Sequence, residues 1–272
     1  HSALIKRTEL VDRIAKEKKK KKSQTVHPGR EAALVKKLLK AHSGALHEQA
    51  LFKIWREVIG ASSVQQSENL KVAVTLNEND LYGSVHMMEM AKDYFGSVLP
   101  IKKVTDPQAA LVSVKEGDAS FAVLPWPEDN DGQRPWWLSL VAEAGLDHTP
   151  QIFGRLPFND SKEAVGLYHT QAALISSVPF EESGDDRSLV ALAVNDPLSR
   201  GGIVDKMQAG GFKVNGLYMY YDDRTQKTVY LLDVDGFVVQ GNEKLDNLLS
   251  EFDDPEAMFY CIGGYPVPVQ WG

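Results

Sequence analysis

Arg7 and Lys18 stand eleven residues apart in a stretch free of glycine and proline. On a helix, eleven steps of about 100° return a side chain to within roughly 20° of its starting direction, so the two cations share a face. Ile14 lies on that face between them. Two cations along an apolar stripe suit a small dicarboxylate with a hydrophobic middle. Arg30 and Glu31 follow Pro28 and Gly29 in the first turn of a second helix, where backbone N–H groups also favour an anion. Ser62 and Gln66 form an i,i+4 pair near the end of a third. Three helices thus offer one site.

The elements that must hold these groups follow from periodicity. Residues 1–22 carry Leu4, Val11, Ile14 and Ala15 amid Arg, Lys and Glu, a helical pattern. It begins abruptly and without a cap, so the first helix is expected to lack its earlier turns. A polar break over 23–29 ends in Pro28 and Gly29. A second helix follows over 30–41, with Leu34, Val35, Leu38 and Leu39 as its stripe. A third covers 46–66, with Leu51, Ile54, Trp55, Val58 and Ile59 facing inward. Beyond Asn69 the texture alternates: strand 71–76, helices 84–95 and 107–116, strand 119–124, then a loop rich in Pro, Asp and Gly over 125–135. From Arg187 the order is strand 188–194, helix 203–209, strands 213–221 and 228–234, helix 243–252, strand 257–262. That βαββαβ order implies a small α+β sandwich.

With 272 residues, 43% hydrophobic and 25% charged, the chain is globular in makeup and long enough for two or three domains. No apolar run of some 18 residues and no secretory signal is present, so a cytoplasmic protein without membrane attachment is expected. The single cysteine, Cys261, permits no internal disulfide. Charge is uneven: 15 Lys and Arg against 7 Asp and Glu up to Asn69, and 15 against 30 beyond it. A basic head on an acidic body points to an anionic ligand. Nucleic acid is set aside, because no aromatic residue interleaves the lysine run from Lys18 to Lys22. His86, His148 and His169 have no partners at metal-ligand spacing, and Asp129 to Asp131 lacks the spacing of a calcium loop, so no metal and no cofactor is expected. The glycine pairs at 201–202 and 210–211 do not form a phosphate-binding fingerprint. Trp126, Trp136 and Trp137 are expected to pack in the core or an interface.

The run Lys6, Arg7, Thr8, Glu9, Leu10, then Lys18, then Arg30 and Glu31 twelve residues on, then Ile54, Trp55, Ser62 and Gln66, resembles the all-helical class of chorismate mutases in residue type and spacing. The resemblance covers nearly all of residues 1–67. It implies that Arg7 and Arg30 bind the substrate's two carboxylates by forked hydrogen bonds, and that Lys18 and Gln66 donate to the ether oxygen whose bond breaks. It implies further that Glu31 accepts from the ring hydroxyl, that Ser62 is a minor carboxylate contact, and that Ile14 and Ile59 form apolar walls. A Claisen rearrangement needs no nucleophile, proton transfer or cofactor, only a held conformer and donors for the developing charge. Two departures stand out. His27 occupies a position that is usually aspartate in the family, and the arginine that the family takes from the start of the partner's first helix is absent. Impaired assembly and chemistry are the expected consequence.

Residues 70–180 are similar to a shortened prephenate dehydratase domain, of periplasmic-binding-protein architecture. The similarity rests on the segments from Leu81 to His86, Tyr94 to Gly96, and Gly117 to Pro125. The Thr-Arg-Phe motif that carries dehydration in that family has no counterpart; the nearest stretch is Asp186, Arg187, Ser188, Leu189. Residues 187–268 are similar to an ACT domain, with Cys261 to Pro266 as its closing strand and turn. The expected fold is therefore multidomain: an all-α mutase domain over 1–69, a degenerate α/β dehydratase-like domain over 70–183, and an α+β ACT-like domain over 184–272. The expected function is a chorismate mutase of aromatic amino-acid biosynthesis, homodimeric through its helical domain, with an aromatic amino acid as candidate effector. The alternatives are a non-catalytic sensor of an aromatic metabolite and a bifunctional mutase-dehydratase.

Overall fold

The computed structural model describes residues 1–21, 26–67, 69–129, 134–160 and 170–270. Lys22, Asp131 and His169, named above, lie outside the described residues. Three helices come first: α1 (Ser2–Lys21), α2 (Pro28–Lys40) and α3 (Glu48–Gln66). Pro28 and Gly29, expected to form a break, instead begin α2, because proline at the first helical position gives up an N–H that has no partner there.

The rest of the chain builds one nine-stranded sheet and its covering helices. The elements run β1 (Val72–Thr75), α4 (Leu81–Phe95), β2 (Ile101–Val104), α5 (Pro107–Lys115), β3 (Phe121–Pro125), α6 (Leu138–Ala142), β4 (Gln151–Leu156), β5 (Asn159–Asp160) and β6 (Ala172–Ser176). There follow β7 (Asp186–Val194), α7 (Arg200–Ala209), β8 (Val214–Asp222), β9 (Lys227–Asp235), α8 (Glu243–Leu248), β10 (Met258–Pro266) and β11 (Val269–Gln270). The sheet order is β2-β1-β3-β6-β4-β10-β7-β9-β8, and β5 pairs separately with β11. The βαββαβ order expected beyond Arg187 is observed. β2, β4, β6 and α6 were not expected.

Alternation along the strands assigns the two faces. Ala73, Ala122, Ile152, Ala191 and Leu231 point to one face, where α5, α6 and the buried Trp126, Trp136 and Trp137 cover them. Val72, Val123, Phe153 and Leu174 point to the other, against α4 and the head. Further along that second face, Val190, Leu192 and Tyr230 meet α7 and α8. Ala32, Val35, Leu39, Phe52 and Ile59 of α2 and α3 belong to the same core as the sheet residues, so the helical head and the body share buried surface.

The stripes differ from expectation in detail. Ile54, expected inward, is 50% exposed, and Phe52 and Arg56 are buried in its place. α3 turns that side to the body, while α1 takes a neighbouring one. Gly60 is where α3 comes nearest to the body; a Cβ there would lie 2.1 Å from the Phe95 carbonyl oxygen.

β10 joins the parts of the sheet. It pairs parallel with β4 and antiparallel with β7, and it bulges between Cys261 and Gly264. A buried polar cluster spans the same seam. Tyr265 Oη donates to Asp233 Oδ2 at 2.6 Å, and Arg155 Nη1 donates to Tyr265 Oη at 3.1 Å. The Arg155 guanidinium lies 4.9 Å over the Trp126 ring. Burial raises the Asp233 carboxyl above its ordinary range, and the Tyr265 hydrogen bond and Arg187 oppose that rise. Asp129, expected as part of a solvated loop, ties that loop to the sheet by accepting from Arg200 Nη2 at 2.7 Å and from the Met219 backbone at 2.9 Å.

Cys261 is buried, and desolvation pushes its thiol up to about 12. Since the thiolate is the reactive form, a maleimide at pH 7.5 is expected to leave the folded chain unlabelled and to label it fully once denatured, as mass spectrometry would show.

Candidate functional site

The head is assembled by polar ties between α1 and α3. Val11 and Ala15 bury one side of α1, and Arg7 Nη1 donates to Ser62 Oγ. Ser62 Oγ donates in turn to the Val58 carbonyl at 2.6 Å. Gln65 Nε2 donates to Asp12 Oδ1 at 2.5 Å and to the Thr8 carbonyl at 3.1 Å, fixing the register of the two helices.

At the other end of α1, half-buried Lys18 feels the charges of Arg30 and Glu31 on α2. Desolvation holds its ammonium below the ordinary lysine range, repulsion from Arg30 adds to this, and Glu31 opposes it. Desolvation likewise lowers Arg7. Glu31 is half-buried, and its desolvation raises its carboxyl; Arg56, the His27 backbone hydrogen bond and the His27 charge all pull it down, while Glu181 pushes it up. A raised carboxyl contributes stability below the ordinary Glu range that is lost as pH rises through its raised value.

The structure thus joins Arg7 to Ser62 and sets Lys18 within electrostatic range of Arg30 and Glu31. It does not bring all the expected groups together. Gln66 Nε2 donates to the Ser62 carbonyl of its own helix at 3.1 Å. Ile14 is 49% exposed, and Ile59 lines a narrow cleft with Pro28, Glu31, Tyr94 and Phe153 between head and body. Arg30 is exposed.

Several contacts of the head were not anticipated. His27 Nδ1 meets Glu181 Oε1 at 2.8 Å, so the residue that departs from the family pattern contacts the body. Lys36 Nζ pairs with Asp185 Oδ2 at 3.0 Å. The Glu57 carboxylate accepts from Ser97 N at 3.0 Å and from Ser97 Oγ at 3.0 Å. Arg56, on α3, is 1% exposed and pairs with Glu31 at 3.6 Å. Its one sequence signal is its place four residues after Phe52 and three before Ile59, on the buried face of α3. Chemically, the head offers cationic and amide donors near one half-buried acid, Glu31. Among the described residues, no three His, Cys, Asp or Glu side chains are grouped to hold a metal ion. None of the described helices is long and apolar enough to cross a membrane.

No curated protein matches the chain. Among solved structures, one described as GqqA, a novel type of quorum-quenching acylase, is 18% identical, with 72% of this chain and 94% of that chain covered and a TM-score of 0.47. The prephenate dehydratase from Streptococcus mutans is 11% identical, with coverage of 72% and 97% and a TM-score of 0.47. That from Arthrobacter aurescens, in complex with L-Phe, is 12% identical, with coverage of 72% and 90% and a TM-score of 0.48. Residues 1–67, the helical head, match the family model of chorismate mutase type II.

Proposed function

We propose that the chain is a chorismate mutase that isomerises chorismate to prephenate in the cytoplasm. The supporting observation is that one helix, α1, carries Arg7 hydrogen-bonded to Ser62 of α3 and Lys18 within electrostatic range of Arg30 and Glu31 of α2. In this reading Arg7 and Arg30 hold the two carboxylates, with Ser62 as a further contact. Lys18 and Gln66 donate to the ether oxygen, Gln66 turning away from the Ser62 carbonyl as substrate enters. Glu31 accepts from the ring hydroxyl, and Ile14 and Ile59 flank the ring. The protein performs no covalent chemistry. It holds the compact conformer and stabilises the charge that develops on the ether oxygen.

A homodimer belongs to the same proposal. Leu4, Ile5 and Leu10 are apolar side chains that α1 leaves exposed in the single chain, and a second α1 would cover part of them. The division at 69/70 and 183/184, into a mutase domain, a dehydratase-like domain and an ACT-like domain, is also part of this reading, and the body's role is regulatory or structural.

The test is the rate of chorismate loss, followed by ultraviolet absorbance at several protein concentrations. A rate well above the uncatalysed one, rising more than linearly with protein where a dimer forms, supports the proposal; no acceleration at any concentration rejects it. Lys18 must be protonated to donate, and its ammonium lies below the ordinary lysine range. The alkaline limb of kcat/KM is therefore expected at a pH lower than that of a free lysine side chain, and is expected to vanish in Lys18→Arg.

A further inference from the structure

Arg56 is a cation that the fold encloses at 1% exposure. A guanidinium stays charged under all ordinary conditions, and burying a charge is costly unless it is paired or otherwise stabilised. Its Cζ lies 3.9 Å from the centre of the Tyr94 ring, 5.2 Å from Phe158 and 5.6 Å from Phe52. Tyr94 and Phe158 belong to the body, and Phe52 to α3. Arg56 Nε and Nη2 have no hydrogen-bond acceptor among the described residues, so the rings supply much of what stabilises the charge. Nη1 reaches Glu31 Oε2 at 3.6 Å.

We propose that Arg56 is a positioning residue through which the α/β body fixes the orientation and charge of Glu31 in the mutase-like site. The proposal rests on the mutase reading and extends it by making the body a working part of the site. A carboxylate that is to accept from a ring hydroxyl must be ionised and aimed. Glu31 is surrounded by Lys18 of α1, His27 at the start of α2, Arg56 of α3, Tyr94 of α4 and Glu181 of the segment after β6. Burial alone drives it toward the neutral acid, and Arg56 is the largest opposing influence. Removing Arg56 therefore raises the pH at which Glu31 ionises and moves the acid limb of kcat/KM upward with it.

Arg56→Met keeps the apolar bulk between the rings and removes the charge. In the full chain labelled with ¹³C at glutamate side chains, the Glu31 signal is assigned by its loss in Glu31→Gln and titrated without substrate. The midpoint is expected to rise by about one pH unit or more in Arg56→Met, and by less than half of that in Arg56→Lys. The acid limb of kcat/KM is expected to move by the same interval, with the plateau above it retained to within about threefold. A purely structural role would lower the plateau and leave the limb in place. An unmoved Glu31 midpoint in folded Arg56→Met overturns the proposal. If Arg56→Met does not fold, Phe158→Leu, which removes one ring of the enclosure, is titrated instead; a smaller upward shift supports the proposal and no shift overturns it. Absence of chorismate turnover in the unsubstituted chain overturns the mutase reading alone, because the titration uses no substrate.

Discussion

Replacing Lys18 by alanine is expected to lower chorismate turnover about 100- to 1000-fold, because one well-placed donor to a developing oxyanion is worth roughly 2.7–4 kcal/mol in comparable enzymes. The loss should appear in kcat more than in KM, since the ether oxygen gains most of its charge on the way to the transition state. Lys18 sits near the end of α1 and is half-buried, so the substitution should leave the α1–α3 contacts at Arg7, Asp12 and Ser62 in place. Circular dichroism and melting temperature unchanged within about two degrees would confirm that only the site was altered. Turnover within about threefold of the unsubstituted chain would remove Lys18 from the catalytic role.

The largest stability effect is expected at the seam of the sheet, where β10 lies beside β4. Gly263 has φ +114°, and a Cβ there would lie 2.0 Å from the Ile152 carbonyl oxygen and 2.6 Å from its amide nitrogen. Both atoms are backbone of β4, which cannot step aside as a side chain would. Gly263→Ala is expected to cost about 1–3 kcal/mol for the backbone conformation and about 1–3 kcal/mol more for the forced packing. Urea unfolding would show this as a lower midpoint, or as an extra transition if β4 and β10 separate before the rest. An unchanged midpoint would mean that the seam contributes little to stability.

The helices of the head were legible because their apolar residues recur at helical spacing and because cations at a fixed interval share a face. Strands β1, β3, β7, β8 and β9 were legible as apolar or alternating runs. β2 was not: Ile101, Lys102, Lys103 and Val104 carry two lysines, and the strand forms at the sheet's edge, where those side chains reach water. β4 and β6 lie between other strands, and pairing decides them where local propensity does not. Within the candidate site, spacing alone put Arg7 and Lys18 on one face of a helix. Arg56 could not be singled out, because an arginine on a helix ordinarily faces solvent and two of the three rings that enclose it, Tyr94 and Phe158, come from distant parts of the chain. The same reason hid the role of His27: its partner Glu181 follows β6, and nothing near residue 27 announces it.

One feature of the topology bears on how the chain is made. β10 is the last long strand in sequence, and it occupies an interior place in the sheet, between β4 and β7. On a ribosome, β4 and β7 emerge well before it, each with a row of N–H and C=O groups waiting for a neighbour that has not been synthesised. Closing that gap requires contacts between residues far apart in the chain, the kind that form slowly. A nascent chain halted before Met258 therefore presents two facing edges as templates for other chains, and translation speed through the final segment governs how long that exposure lasts.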